Sequence, residues 1–357
     1  MCPAVAQQKQ ALGTARQAQS DLGSESPQDC WPHQPVLLQE VLGIFQDHEM
    51  QVYVDGTLGA GGHAASILQA HPEMQRLVGI DADPSALKIA SQRIHLDPEQ
   101  CNLSLVEANF EDLERVLAER VSEHSLVGRV DGMLLDLGVS SMQLDQAERG
   151  FSFQADGPLD MRMGPGALQS AEDIVNTWPE GQLFRIFRDY GEERYARSIA
   201  ARIASIRMNQ PLRTTQDVVA AIGRPGKPSK AKGKGLKQIH PATRVFQALR
   251  IAVNDELGVL ERALPAAIRC LAPRGRLAVI SFHSLEDRIV KQAFRLAAGT
   301  ASQEPDPSLP FEMQLLEQQQ PKPSVKILTK RPMTAGEAEN NQNPRSRSAK
   351  LRAIQKL

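Results

Sequence analysis

No stretch of 18 apolar residues occurs in this 357-residue chain, so no membrane-spanning helix is expected. Cysteine is scarce: Cys2, Cys30, Cys101 and Cys270. No two form a CxxC pair and none joins histidines at zinc spacing, which argues against a disulfide framework and predicts no metal site. Reduced thiols point to the cytoplasm. No GxSxG elbow is present, which sets aside an α/β hydrolase. Aromatic residues make up only 4%, too few for an evident platform that stacks single strands. No period of 20–50 residues repeats, so a solenoid is not expected. A formal net charge of −1 excludes a wholesale polycation. What remains is 41% hydrophobic residues, enough for a core, with glycine and proline near ordinary usage.

The texture changes along the chain. Residues 1–32 hold six Gln and five Ala, no aromatic before Trp31, and the acids Asp21, Glu25 and Asp29. They read as a disordered extension, neither a secretory signal nor a transit peptide. From His33, short apolar runs alternate with helical patterns. The runs are Val52–Val54, Leu77–Ile80, Leu103–Val106, Met133–Leu135 and, much later, Leu277–Phe282. This alternation predicts βαβ units and a parallel sheet, hence an α/β fold. Between Asp145 and Gln238 only helical periods appear, including a helix from Tyr190 to Met208 with Ile199, Ile203 and Ile206 on one side. The reading is an α/β core in two parts, 33–144 and 239–357, interrupted by an all-α insertion, 145–238. That insertion ends in a Lys-rich loop at 223–238, and the second core part carries a basic tail.

Chemistry gathers at strand ends. Asp55-Gly56-Thr57-Leu58-Gly59-Ala60-Gly61-Gly62-His63-Ala64 follows the first strand. Glycines permit a sharp turn and close backbone approach to a ligand. Gly59, Gly61 and Ala64 satisfy GxGxxA, and Asp81 ends the next strand about 20 residues on, where a carboxylate accepts ribose hydroxyls. Strand, turn, helix, strand and acid in that order predict an adenosine-containing cofactor. A pyrophosphate needs a free helix N-terminus. Asp55 beside the turn instead suits the cationic amino-acid end of S-adenosylmethionine. Phe110 offers an aromatic face to adenine, or simply caps the core. Asp136 ends the fourth strand, so Asp55, Asp81 and Asp136 should share one crevice. His283, within Ser281-Phe282-His283-Ser284-Leu285-Glu286-Asp287-Arg288, ends another strand on the same edge. A structural histidine and a catalytic one weigh about equally there.

The charge is unevenly distributed. Val218–Asn254 contains no acid and eight cations, while Asn341–Leu357 contains no acid and five, leaving −14 for the remainder. This reads as an acidic body with two basic arms, suited to a polyanion.

Further motifs occur in order: His33-Gln34-Pro35-Val36-Leu37-Leu38, Asp136-Leu137-Gly138-Val139-Ser140-Ser141, Glu148-Arg149-Gly150-Phe151-Ser152-Phe153, Gly157-Pro158-Leu159-Asp160-Met161-Arg162, His240-Pro241-Ala242-Thr243-Arg244 and Asn343-Pro344-Arg345-Ser346. With the glycine turn and Ser281–Arg288 they closely resemble the small-subunit ribosomal RNA (cytosine-N4)-methyltransferase family of bacteria and organelles, RsmH or MraW. The resemblance runs from about His33 to the C-terminus and leaves out the first 32 residues and the Lys-rich loop. It implies a Rossmann-like class I methyltransferase, S-adenosyl-L-methionine as methyl donor, and a cytidine in the decoding region of small-subunit rRNA. It implies cofactor contacts at Gly61, Gly62, His63, Asp81, Phe110, Asp136 and Gln143. Asp136 is the expected acceptor for the cytosine amino group, although it could hold cofactor instead, because Asp136-Leu137-Gly138-Val139 departs from the Asp/Asn-Pro-Pro-aromatic of many amino-methyltransferases. His283 is the expected proton acceptor or base-positioning group. The alternatives are a nicotinamide-dependent oxidoreductase and a non-catalytic RNA-binding assembly factor. A monomer and a homodimer fit equally.

Overall fold

The computed structural model describes residues 35–164, 166–223, 240–300 and 323–357. The expected disordered extension and nearly all of the Lys-rich loop lie outside these residues.

The alternating runs form the expected strands: β1 (Val52–Asp55), β2 (Arg76–Asp81), β3 (Asn102–Glu107), β4 (Val130–Asp136) and β5 (Leu271–Ser281). The short β6 (Val325–Ile327) and β7 (Lys350–Lys356) complete a seven-stranded sheet of order β3-β2-β1-β4-β5-β7-β6. The first five strands are parallel, and β7 runs antiparallel to both β5 and β6.

Side chains alternate across each strand and both faces are buried, as a parallel sheet requires. One face carries Val54, Val78, Ile80, Met133, Leu135, Leu277 and Val279. It packs beneath α4 (Leu113–Glu119), α11 (Glu256–Cys270) and α12 (Ser284–Ala297). The other carries Tyr53, Leu77, Leu134, Ala278 and Ile280. It packs beneath α1 (Leu38–Phe45), α2 (Gly62–Ala70) and α3 (Pro84–Arg93). Asp83 caps α3 by accepting the Ser85 amide, and Pro84 supplies the fixed φ of a first helical residue.

After β4 comes the short α5 (Ser141–Asp145). A second core follows, built from α6 (Ala171–Thr177), α7 (Glu180–Asp189), α8 (Ala196–Ile206), α9 (Thr215–Ile222) and α10 (Pro241–Asn254). Capping boxes start α6 (Ser170 with Asp173) and α9 (Thr214 with Asp217). The core draws on Phe151 through Val253, so α10 packs with the helices although it follows the Lys-rich loop in sequence.

Two expectations change. The helix expected from Tyr190 starts only at Ala196. Gly191 sits so close to the Arg244 and Phe187 carbonyls that a Cβ would lie 2.7 and 2.8 Å away, and Glu192 has φ 49°, so the chain turns there. Ile199 and Ile203 are buried, but Ile206, in the last turn, is exposed. The C-terminal residues are not a free arm. They form β7, which is paired on both sides because its apolar residues Leu351, Ala353 and Ile354 belong to the sheet core.

Candidate functional site

Parallel pairing places the carboxyl ends of β1, β2 and β4 side by side, and each ends in an aspartate. Asp55 is almost completely buried. Burial and then the charge of Asp81 push its carboxyl up to about 7, although the Thr57 amide opposes this. Asp81 is also raised by burial, despite backbone donors at Asp83, Gly59 and Ala82. The Gly59 amide lies 2.7 Å from Oδ2 and the Asp83 amide 2.8 Å from Oδ1. The carboxylate expected to meet a ribose therefore also braces the glycine turn. Gly59 has φ 53°, a conformation that favours glycine, and a Cβ there would touch the Thr57 carbonyl oxygen at 4.0 Å. Gly61, at φ 74°, shares that backbone need, and packing adds to it: a Cβ would press on Ala90 and Ile94, and at Gly62 on Pro35 and Arg93.

Asp136 is half-buried, but its Oδ1 is enclosed and makes no hydrogen bond. Burial, Asp55 and Glu286 hold its carboxyl well above the usual range. Its amide donates to Thr57 Oγ1 at 2.6 Å. His63 Nδ1 lies 3.7 Å from Asp136 Oδ2, while Nε2 meets the Val36 carbonyl at 2.9 Å. A carbonyl can only accept, so Nε2 carries the proton and Nδ1 turns its lone pair toward Asp136. Burial holds His63 down to about 4, hence neutral.

Phe110 follows β3 and opens a 3-10 turn, with its Cβ beside Gly56 at the edge of the core. Gln143, buried in α5, forms a capping box with Ser140 and reaches Asp83 Oδ2 at 3.4 Å. The same Asp83 oxygen accepts from Arg149 Nη1 at 2.9 Å. Burial would raise the Asp83 carboxyl, but Arg149 and its other donors hold it below the usual range. Neither Asp83 nor Arg149 was expected at this site. The Asp-Pro that opens α3 and the Arg of Glu148-Arg149-Gly150 were the available signals.

His283 sits at the end of β5 as expected, but its ring turns inward. Nδ1 caps α12 through a long 3.5 Å contact with the Glu286 amide. Nε2 is enclosed, 3.2 Å from Glu286 Oε1, without hydrogen-bond geometry. Glu286 Oε2 in turn accepts the Phe282 and His283 amides, 2.8 and 3.3 Å away. Glu256 lies in the same cluster and is gripped by both arms of Arg250 at 2.7 and 2.8 Å. His283 thus joins an inward-facing cluster with Glu286, Glu256 and Arg250, and its Nε2 is enclosed there. A His-x-x-Glu capping box was the sequence signal for Glu286.

The edge as a whole offers acceptors and excess negative charge. Asp81 keeps lone pairs for hydroxyl donors, and Asp136 has an unused oxygen. This fits a ligand with hydroxyls and a positive charge and opposes a pyrophosphate.

Comparison with known proteins agrees with this chemistry. The model of the MraW methylase family matches residues 30–357. The chain is 50% identical over 325 residues to ribosomal RNA small subunit methyltransferase H of Heliobacterium mobile, covering 91% of this chain and 99% of that protein. It is 49% identical over 331 residues to the protein of the same name from Geobacter sulfurreducens, covering 91% and 99%. A sheet of order 3-2-1-4-5-7-6 with three aspartates at its carboxyl edge, and a family match across nine-tenths of the chain, make this protein a member of the MraW methylase family.

Proposed function

We propose that the protein transfers a methyl group from S-adenosylmethionine to the exocyclic N4 of a cytidine in small-subunit ribosomal RNA, acting in the cytoplasm. The observation that carries this reading is the enclosed, unpartnered Oδ1 of Asp136 at the carboxyl end of β4, beside Asp55 and Asp81. Family membership and the names of the relatives supply the methyl-transfer class and the small-subunit rRNA.

The bound cofactor supplies an electrophilic methyl on a positively charged sulfur. Asp81 would accept its ribose hydroxyls, and Phe110 would lie against adenine. The turn at Gly59–Gly62 would pass close to the amino-acid end. His63, neutral and pinned to Val36, would pack beside Asp136 as an uncharged wall, and Gln143 would buttress the ribose turn through Asp83.

Cytosine N4 is a poor nucleophile because its lone pair is shared with the ring. An acceptor that takes one N–H hydrogen bond localises that pair, and the pocket must align it with the methyl. Asp136 can do this once it is ionised, and its carboxylate can then take up the proton that N4 sheds as the methyl is transferred. In the empty site, burial and neighbouring acids favour its protonated form. A cation at the edge favours the carboxylate. His283 would support the strand end through Glu286, because its ring faces that carboxylate. Attack at cytosine C5 would need a covalent cysteine. Cys101 and Cys270 are buried and immediately precede β3 and β5, at the amino edge of the sheet. Burial also pushes the Cys270 thiol up to about 12.

Titration calorimetry with S-adenosylhomocysteine and with NAD tests the cofactor assignment. Heat from S-adenosylhomocysteine alone is expected, and binding of NAD alone would overturn the reading in favour of an oxidoreductase. Methyl transfer to purified small subunits separates an enzyme from a non-catalytic assembly factor.

A further inference from the structure

Arg149 has no place in the chemistry above, yet it bonds both to the start of α3 and to the 161–164 loop. Nη1 holds Asp83 at 2.9 Å. Nη2 donates to the carbonyls of Arg162 and Met163, at 3.1 and 3.3 Å. The Arg149 carbonyl accepts the Met161 amide at 3.0 Å. Asn254 grips the same loop, donating to the Met161 carbonyl and accepting the Met163 amide, both at 2.8 Å. Gly164 then lies directly on Ala82: a Cβ would sit 2.7 Å from the Ala82 carbonyl oxygen. Met161 is fully buried with φ 62°, a strained conformation for a side chain of this size, maintained by these bonds.

The segment 161–164 therefore rests on the residue between Asp81 and Asp83, at the edge where Asp136 waits. Asp83 also presents its amide to Asp81. One guanidinium spans this junction, because its planar fork reaches a carboxylate with one arm and two carbonyls with the other.

We infer that Arg149 is a positioning residue that couples cofactor binding to RNA binding. This rests on the assignment of S-adenosylmethionine and rRNA made above. Cofactor hydroxyls on Asp81 fix Asp83, Asp83 fixes Arg149, and Arg149 fixes the 161–164 loop beside which the cytidine must enter. Such coupling is reciprocal: each ligand tightens the other by the same factor.

The test measures binding of a small-subunit rRNA fragment to the full-length protein, with and without saturating S-adenosylhomocysteine. Wild type is expected to bind RNA at least ~5-fold more tightly with S-adenosylhomocysteine present. In Arg149→Lys the ratio is expected to fall to near one, because an ammonium cannot span both segments. Asp83→Asn, which keeps the helix cap but presents an amide to Arg149, is expected to do the same and serves if the lysine variant does not fold. A merely structural role would lower both RNA affinities together and leave their ratio unchanged. That result, or a wild type without coupling, overturns the inference. If wild type binds no S-adenosylhomocysteine at all, the cofactor assignment fails and the coupling fails with it.

Discussion

At the scale of single residues, the carboxyl edge is governed by how costly it is to hold three aspartates close together out of water. Asp136→Ala removes the acceptor for the N4 hydrogen and is expected to slow methyl transfer by ~10²-fold or more while leaving the fold intact, as measured by labelled-methyl incorporation and by thermal melting. Asp55 supplies a pH signature. Its folded value of about 7 lies above the ordinary 3.8, so the native state binds a proton that the unfolded state has lost. Its contribution to apoprotein stability is therefore fully present below pH 3.8 and is lost as pH rises through about 7. A cationic ligand favours the ionised form, so S-adenosylhomocysteine, through its ammonium group, should bind more tightly as pH rises across this range and release a proton. Calorimetry in buffers of different ionisation enthalpy measures that release, and Asp55→Asn should reduce it, the remainder coming from Asp136. Uptake of a proton would contradict the account. Asp55, Asp81 and Asp136 were legible in the sequence because each closes an apolar run, and parallel strands place such ends together. Asp83 and Arg149 were not, because their meeting spans 66 residues and depends on a loop whose shape is tertiary. The inward turn of the His283 ring was equally hidden, since it depends on Glu286 completing a helix cap.

At the scale of elements, strands were easier to read than helix limits. An apolar run reports burial directly, whereas the start of α8 depends on a turn at Gly191–Glu192 forced by α10. The entrance to the helical core depends on another turn. Gly150 has φ 72°, and a Cβ would lie 2.2 Å from the Pro158 carbonyl oxygen and 2.8 Å from the Asp160 amide nitrogen. Both neighbours are backbone and cannot rotate away. Gly150→Ala should therefore destabilise the protein by ~1–3 kcal/mol, seen as a lower urea midpoint. An unchanged midpoint would mean that the 147–160 turn is looser than described.

At the scale of the whole molecule, charge segregated along the sequence is not charge segregated in space. Arg352 is bound to Asp287 at 2.6 Å, and Lys350 lies 3.4 Å from the same carboxylate. Arg345 lies 3.2 Å from Asp145, Lys356 donates to the Ile268 carbonyl, and Arg250 is held by Glu256. Most of the cations expected in the tail arm are thus spent within the fold. The remaining basic run is the Lys-rich segment around Lys230, Lys232 and Lys234. Replacing these three by Gln should weaken rRNA binding and flatten its dependence on salt, because fewer condensed counterions are released. Filter binding across a salt series measures both, and an unchanged slope would assign RNA contact elsewhere.

The most direct measurement combines substrate and site. Purified protein is incubated with unmethylated small subunits and methyl-labelled S-adenosylmethionine, and the rRNA is digested to nucleosides for mass spectrometry. The account predicts label in N4-methylcytidine with wild type and its loss with Asp136→Ala. Label in 5-methylcytidine, or no label with folded wild type, would contradict it.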